Sequence, residues 1–584
     1  MTSQRGPPPL RLTRPACPAH RARVSSSETP FPTTDTATQA TPPEVPPPAA
    51  KKAGLIKSSM IFAGLTLISR IMGLARDLAI SARLGASQTI AADAYYTALS
   101  FPNLFRRIFA EGAFAAAFVP GYSRKLAAEG DAEADRYAAD ALATVAAATV
   151  ALTILAQLAM PWLMYLINPG YAADPAKFKL AVILTQITMP YLPCMAIAAL
   201  FSGVLNTRGR FIVSGFYPTI LNIVMLAAVL PQHDPVQAAY AASFGVLVAG
   251  VGQAGLCWWG ARRTGARIRP TALRLTPEMR NLVKLAIPAA IANSATQINI
   301  FISGALASQV PGARAWMNYA DRLYQLPMSL VGVAIGVALL PRLSAALRLD
   351  DQDDARAAMD QALVFGLALS LPAAAALMAM PVYLIDGFFT RGAFLATDAV
   401  ETGRLLFHYG WGVPAFVLLR VLQPAFFARE DTRTPMRFSL ISVAVNVAAG
   451  VALFFVIGVP GIAIGTSLAA WISVAQMSAA LVRQGVYRPS PQVVSKLARV
   501  AAASLALGLL LAAAQHWRTI LEQPFARLDL AGVGAKELTV LLICMAGGAL
   551  YPVLLFAFGG VTVTEAKAAL RRRKGDAPVA TDLS

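Results

Sequence analysis

Residues 66–118 read TLISRIMGLARDLAISARLGASQTIAADAYYTALSFPNLFRRIFAEGAFAAAF. Two apolar segments meet here, and both carry ionisable residues where lipid tolerates none. The first holds Arg70, Arg76, Asp77 and Arg83; the second holds Asp93, Arg106, Arg107 and Glu111. An ionised side chain at the bilayer centre costs at least about 2.5–3.5 kcal/mol on insertion scales, so such residues face a protein interior or a water-filled cavity. On a helix, Ser69, Arg76 and Arg83, spaced by seven, share one stripe, and Arg70 and Asp77 form a second stripe beside it. One side of this helix is therefore wet and cationic, and the other is Ile, Leu, Met and Ala. Snorkelling to the headgroups is the competing reading for Arg83, Arg106 and Arg107, near segment ends.

The rest of the chain has the composition of a polytopic membrane protein. Of 584 residues, 56% are hydrophobic and 14% charged, against about 25% charged in soluble domains. The formal charge of +19 is spread through short loops, not gathered in a basic soluble domain of the nucleic-acid-binding kind. Cys17, Cys194, Cys257 and Cys544 stand apart, as do His20, His233, His408 and His516, so no metal or redox spacing is present. Residues 1–52 are rich in Pro, Ser, Thr and Arg without an apolar run, the composition of a disordered tail. Its first 24 residues hold five Arg and no acid, which also occurs in organelle transit peptides; a dispensable tail is the preferred reading.

Windows of about 20 apolar residues give fourteen approximate helices, at 56–84, 90–122, 137–167, 178–206, 212–231, 237–261, 281–309, 316–345, 356–384, 400–427, 437–457, 461–482, 493–515 and 535–559. Pro102, Pro190, Pro193, Pro288, Pro327 and Pro414 fall inside them and predict kinks whose freed backbone groups are met by neighbouring helices or water. The loops after even-numbered helices are basic, as in Arg262, Arg263, Arg267, Arg269 and Arg274 after the sixth; alternate loops such as GASQTIAAD and GVPG have no base. The positive-inside rule then places both termini in the cytoplasm. Arg70 is 13 residues beyond Lys57, about 20 Å deeper. It therefore faces a cavity or has a buried partner, with Asp77 the nearest candidate.

The chain also repeats itself. LIKSSMIFAGLTLISR parallels LVKLAIPAAIANSATQ at an offset of 227 (Lys57 to Lys284), and ADAYYTALSFP parallels ADRLYQLP at 228 (Asp93 to Asp321). FVPGYSRKLAA parallels LLPRLSAAL at 221 (Pro120 to Pro341), and the LNTRGRF and FAREDTRTPMRF segments precede Asn222 and Asn446, 224 apart. Six helices per half make the halves parallel, with a substrate site expected between them. The expected architecture is all-α and polytopic: a first lobe at 54–262, a second at 278–486, an extra helix pair at 492–560 and a basic tail at 561–584.

SRIMGLARD, ADAYYTALSFPNLFRRIFAEGAF and FVPGYSR together resemble the start of the lipid II flippase family, within the multidrug/oligosaccharidyl-lipid/polysaccharide exporter superfamily. The resemblance runs over about residues 54–560. It implies two six-helix lobes around a central cavity, with the last two helices forming a groove for a lipid tail. It also implies that Arg70, Arg76 and Arg322 line the cavity and hold the substrate's pyrophosphate. Guanidinium forks suit that task, pairing bidentately with phosphate and staying charged at depth. Asp77, Asp93, Arg106, Arg107, Glu111 and Asp321 are then gating or supporting residues. Gln325 stands where the family often has an acid. An intramembrane ion pair that merely ties helices together is the alternative for Asp321 and Arg322. DDQDD at 350–354 resembles a Mg²⁺-binding cluster but reads better as an acidic helix start.

The implied activity is flipping a lipid-linked, anionic peptidoglycan precursor across the bacterial inner membrane by alternating access. No bond is made, no metal or cofactor is needed, and the chain is expected to work as a monomer. Another polyprenyl-linked polysaccharide flippase or a cation-coupled exporter of the same superfamily is the runner-up; a membrane enzyme on polyprenyl phosphates ranks below both. Coupling to Na⁺, H⁺ or membrane potential, the peptide variant of the substrate, and contacts with cell-wall or division machinery stay open. Deleting residues 1–50 is expected to leave insertion and transport intact, which complementation of a depleted strain by the truncated chain measures; a truncated chain that inserts but fails to complement would refute it.

Overall fold

The computed structural model describes residues 49–105, 114–269, 271–274, 276–348, 351–527 and 534–560. Contacts divide the chain into Met1–Gly54 and Leu55–Ser584; all that follows concerns the second unit. Its described residues form helices and loops and no strand. In order they are α1 (Ala49–Leu84), α2 (Ala91–Phe105), α3 (Phe114–Ala128), α4 (Asp131–Ile167), α5 (Pro175–Thr188), α6 (Tyr191–Thr207), α7 (Phe211–Val229) and α8 (Pro235–Arg263). The second half holds α9 (Pro277–Ala307), α10 (Ala313–Arg348), α11 (Gln352–Ala379), α12 (Pro381–Phe389), α13 (Ala396–Gly410), α14 (Val413–Phe427), α15 (Arg433–Ile457) and α16 (Pro460–Arg483). The chain continues as α17 (Pro491–His516), α18 (Arg518–Glu522) and α19 (Ala535–Ala557).

Among the described residues ten segments are long and apolar enough to cross a membrane. The other four of the fourteen expected spans are α1, α2 with α3, α9 and α10, which the described residues do not establish as crossing.

Several helix starts follow from two adjacent residues. Asp174–Pro175, Asp234–Pro235, Thr276–Pro277 and Ser490–Pro491 each place a capping oxygen at the N-cap and proline at the first helical position. The oxygen accepts a free N–H of the first turn, and proline has no N–H to leave unpaired. Asp351 caps α11 in the same way, accepting from the Asp354 N–H.

Proline also breaks spans that hydropathy reads as single. The expected helix at 178–206 is α5 and α6, parted at Met189–Pro190, and the one at 400–427 is α13 and α14, parted at Trp411–Gly412. The carbonyls freed at the second break are claimed by α16: Ser467 Oγ donates to His408 O (2.7 Å) and Trp471 Nε1 to Trp411 O (3.0 Å). Neighbouring helices thus replace the lost ladder, as an apolar surround requires.

Three buried clusters organise the packing. One draws only on residues 118–282 and another only on 343–487. The largest joins both halves where the loop after α1 meets α10, α12 and α13, around Tyr95, Tyr96, Tyr319, Phe389 and Phe394. Tyr319 packs edge-on to Tyr96 (5.4 Å between centroids) and to Phe394 (5.2 Å), and its hydroxyl donates to Gly85 O (3.0 Å). Beyond the repeat, α17 packs on α11 and α19.

The two chains of backbone touch at this junction. The Ala393 N–H donates to Ala82 O at 2.8 Å. Gly85 and Gly392 have positive φ (69° and 58°), and a Cβ on Gly392 would stand 2.2 Å from Ala82 O. Gly392→Ala is therefore expected to cost about 1–3 kcal/mol in overpacking beyond its backbone strain. Gly458, with φ of 74° and no atom within 4 Å of a built Cβ, is the control. Thermal unfolding in detergent should drop clearly further for Gly392→Ala than for Gly458→Ala.

Candidate substrate cavity

The ionisable residues of α1 are held by partners from distant elements. Arg76 donates from Nε and Nη2 to Asp77 Oδ1 (3.0 and 2.7 Å) and from Nη1 to Asn222 Oδ1 on α7 (2.9 Å). Asn222 returns a bond from Nδ2 to Ser69 O (2.8 Å), fixing α7 to the turn before Arg76. Asp77 is 3% exposed, and its other oxygen lies 3.0 Å from Arg322 Nε on α10. That contact is an ion pair and not a hydrogen bond, because the Nε–H finds no acceptor. One carboxylate is thus shared by two guanidiniums from opposite halves of the chain. A buried charge is tolerated only when paired and hydrogen-bonded in this way.

Arg70 is exposed and has a different setting from the one its spacing to Asp77 suggests. It lines a recess of about 430 Å³ with Ser69, Asn206, Ser214 and Tyr217. Arg420 of α14 is close enough for the two positive charges to repel. Of the two settings expected for Arg70, a cavity or a buried partner, it has the first; Asp77 is held instead by the Arg76 fork. Arg70 lines this recess; Arg76 and Arg322 meet at Asp77, and Arg420 stands near Arg70.

Asp321, next to Arg322, turns away. It accepts a short hydrogen bond from Gln325 Nε2 one turn along α10, while Tyr324 packs against Tyr409 and Phe416. Asp93 is wholly buried at the junction of the halves. It takes Lys177 Nζ at 2.5 Å and the backbone N–H groups of Gly312 and Ala315 at 2.8 and 3.1 Å, so it caps the start of α10 from the other half of the chain. Asp398 does the converse: its Oδ1 accepts from Ser87 N (3.1 Å), Ser87 Oγ (2.5 Å) and Trp316 Nε1 (3.0 Å). At this end the halves are tied together. Arg83, at the same end of α1, donates to Leu230 O (2.7 Å).

The family model described as lipid II flippase MurJ matches residues 80–525. The chain belongs to the lipid II flippase family. A probable lipid II flippase MurJ of Rhizobium tropici is 39% identical over 526 residues, covering 89% of this chain and 97% of that one. A lipid II flippase MurJ of Burkholderia cenocepacia is 32% identical over 510 residues, covering 86% and 96%. Among solved structures, a lipid II flippase MurJ in an inward closed conformation superposes with a TM-score of 0.69 at 23% identity, over 85% of this chain and 98% of that one. An inward-facing MATE family transporter of the MOP superfamily gives 0.58 at 14% identity, over 73% and 98%; these two likenesses are of fold alone.

For a member of this family, the sequence-based expectations divide cleanly. Arg76, Asp77 and Arg322 are brought together, Arg70 lines a recess without them, and Asp93 caps the start of α10. Arg106, Arg107 and Glu111 lie outside the described residues. Asn222, Arg420 and Asp398 were missed. Arg420 carried a legible signal, an ionisable residue inside the apolar run VPAFVLLRVLQPAFF; Asn222 carried only its repeat partner Asn446, and Asp398 carried none that distinguishes it from packing. Among the described residues no group of three or more His, Cys, Asp or Glu is placed to hold a metal ion. In the DDQDD stretch, Asp351 caps a helix and Asp354 pairs with Arg342 (2.5 Å). A double-mutant cycle on Asp77→Asn and Arg322→Gln, read by thermal stability, is expected to give a coupling of about 0.5–3 kcal/mol. The cycle on Asp77→Asn and Arg70→Gln should come out additive.

Proposed function

We propose that this chain carries an undecaprenyl-pyrophosphate-linked peptidoglycan precursor from the cytoplasmic to the outer leaflet of the bacterial inner membrane. The observation that carries the reading is the shared Asp77 carboxylate with a cationic excess around it. Arg322 is 37% exposed in its side chain, so part of it is open to an incoming phosphate oxygen, while its Nε is buried against Asp77. A pyrophosphate entering here replaces Asp77 as the acceptor between Arg76 and Arg322, and Arg70 and Arg420 supply further positive charge. Acidic residues would line the cavity of an exporter of cations; here guanidiniums do.

Transport proceeds by alternating access between two six-helix lobes, at about 54–262 and 278–486, with α17 and α19 beside them. The end held by Asp93, Asp398 and the Tyr96–Tyr319 contact is the periplasmic gate, closed in this structure. Both termini and the arginine-rich loops are cytoplasmic. Opening the gate pulls Asp93 off the start of α10 and Asp398 off Ser87. No covalent step occurs, the chain acts as a monomer without a cofactor, and an ion gradient or the membrane potential drives the cycle.

Arg322→Lys keeps the charge and loses the planar fork. It is expected to lower precursor flipping about ten-fold or more, the scale of a charge-assisted hydrogen bond worth roughly 1.5–3 kcal/mol, with expression unchanged. A leaflet-resolved assay of lipid-linked precursor in a strain depleted of the wild-type chain measures it. Full activity of the Lys variant would reduce Arg322 to a field effect, and depletion without accumulation of inner-leaflet precursor would overturn the assignment itself.

A further inference from the structure

A second concavity lies on the flank of the first half and shares no lining residue with the recess at Arg70. It is about 680 Å³ in volume, formed between α4, α6 and α8 and roofed by the segment that leads to α9, within the roughly 300–1,000 Å³ of small-ligand sites. Its floor is hollow because α4 and α8 present Ala146, Ala147, Ala254 and Gly255, where larger side chains would fill the space. The slot is open to the side and almost wholly apolar, so water has no partners in it.

Its rim has the opposite chemistry. Trp258 lines the slot at its loop end and, like Trp259, is close to half exposed (42% and 48%). Arg262 lies over the Trp258 ring at 4.9 Å and Arg263 over Trp259 at 4.6 Å. Arg269 and Arg274 are exposed in the roofing segment. Among the described residues none of these four arginines is paired with a carboxylate. Two acids of α4 meet the roofing segment without pairing with these arginines: Asp140 accepts from Thr271 Oγ1 (3.4 Å) and Asp135 from the Arg267 backbone N–H (2.6 Å). Tryptophan marks the headgroup level of a bilayer, and basic pockets between membrane helices at such a level recognise phosphate headgroups.

We propose that this groove is a binding site for an anionic phospholipid of the leaflet on the arginine-rich side. One acyl chain occupies the slot along the Ala146–Ala254 floor, and the phosphate sits against Arg262 and its neighbours. Charge complementarity selects an acidic headgroup, and the separation from the Arg70 recess makes the occupant a bilayer lipid and not the transported one. The site is independent of the substrate cavity and is tested without any transport measurement.

The test uses the full-length chain, delipidated in detergent, titrated with phosphatidylglycerol or phosphatidylcholine carrying brominated acyl chains. Subtracting the Trp258→Phe variant isolates quenching of Trp258. Phosphatidylglycerol is expected to quench it with about ten-fold or greater preference over phosphatidylcholine, the scale set by two or three charges at a headgroup. The exposed triple variant Arg262→Gln, Arg269→Gln, Arg274→Gln should erase the preference while folding normally. Ala254→Phe, checked for unchanged thermal unfolding, should erase the saturable component itself. Equal quenching by both lipids, or a preference that survives the triple variant, would mean ordinary boundary lipid and overturn the proposal. Displacement of bound phosphatidylglycerol by a polyprenyl pyrophosphate at lower concentration would also overturn it, assigning the groove to the transported lipid.

Discussion

A single buried carboxylate, that of Asp77, sets the terms on which the two halves of this protein meet inside the membrane. Two guanidiniums reach it, Arg76 from the same helix and Arg322 from the other half. Without it they would repel at close range in a poorly screened interior. With a second carboxylate in reach the site would be neutral and hold no anion. One acid between two bases leaves a net positive charge and spare N–H donors, a condition suited to a ligand that arrives with its own negative charge. Asn222 adds rigidity by holding both Arg76 and the Ser69 carbonyl, so the fork is aimed before any ligand comes.

Two other carboxylates around the same junction are used differently. Asp93 and Asp398 are both fully buried; each is held by its own half, through Lys177 and through Trp316, and also takes backbone or hydroxyl donors of the other half. Asp93 stabilises the exposed N–H groups at the start of α10 as an N-terminal anion does. Such contacts suit a gate. When the halves part, water can replace the hydrogen bonds of Asp93 and Asp398, whereas a wholly apolar seam would expose surface with no compensation. The aromatic group around Tyr319 packs this junction closely, and the backbone passage at Gly85 and Gly392 admits no side chain. Polar latches inside an apolar seal are compatible with the rocking proposed above.

The broken helices serve the same economy of space. α13 and α14 bend at Gly412, against which Ser467 packs so closely that a Cβ would meet its hydroxyl oxygen at 2.4 Å. Ser467 and Trp471 then take up the carbonyls that the break releases. A straight helix here would satisfy its own backbone but would direct α13, with Asp398, and α14, with Arg420, along one line. The break lets one span bring Asp398 to Ser87 and Arg420 to Arg70.

Much of this was legible in the chain. Hydropathy points to an all-helical membrane protein, and charge in apolar runs singles out Arg70, Arg76 and Arg322 because burying an unpaired ion is costly wherever it occurs. The Asp–Pro, Thr–Pro and Ser–Pro pairs also mark helix starts by local chemistry alone. Partnership was a different matter. Helical spacing put Arg70 and Asp77 on one stripe, yet Asp77 is held by Arg76 and by a residue from α10, while Asp321 turns to Gln325. Periodicity states which way a side chain leaves its helix; it does not state which helix waits there. Nor does it reveal the hollow between α4, α6 and α8, since alanine and glycine look alike whether a neighbour fills the space or leaves it open. Local sequence determined the elements and their charges; only the packing of distant segments decided which charges share a partner and where the gaps lie, because those depend on distances that no stretch of the chain contains.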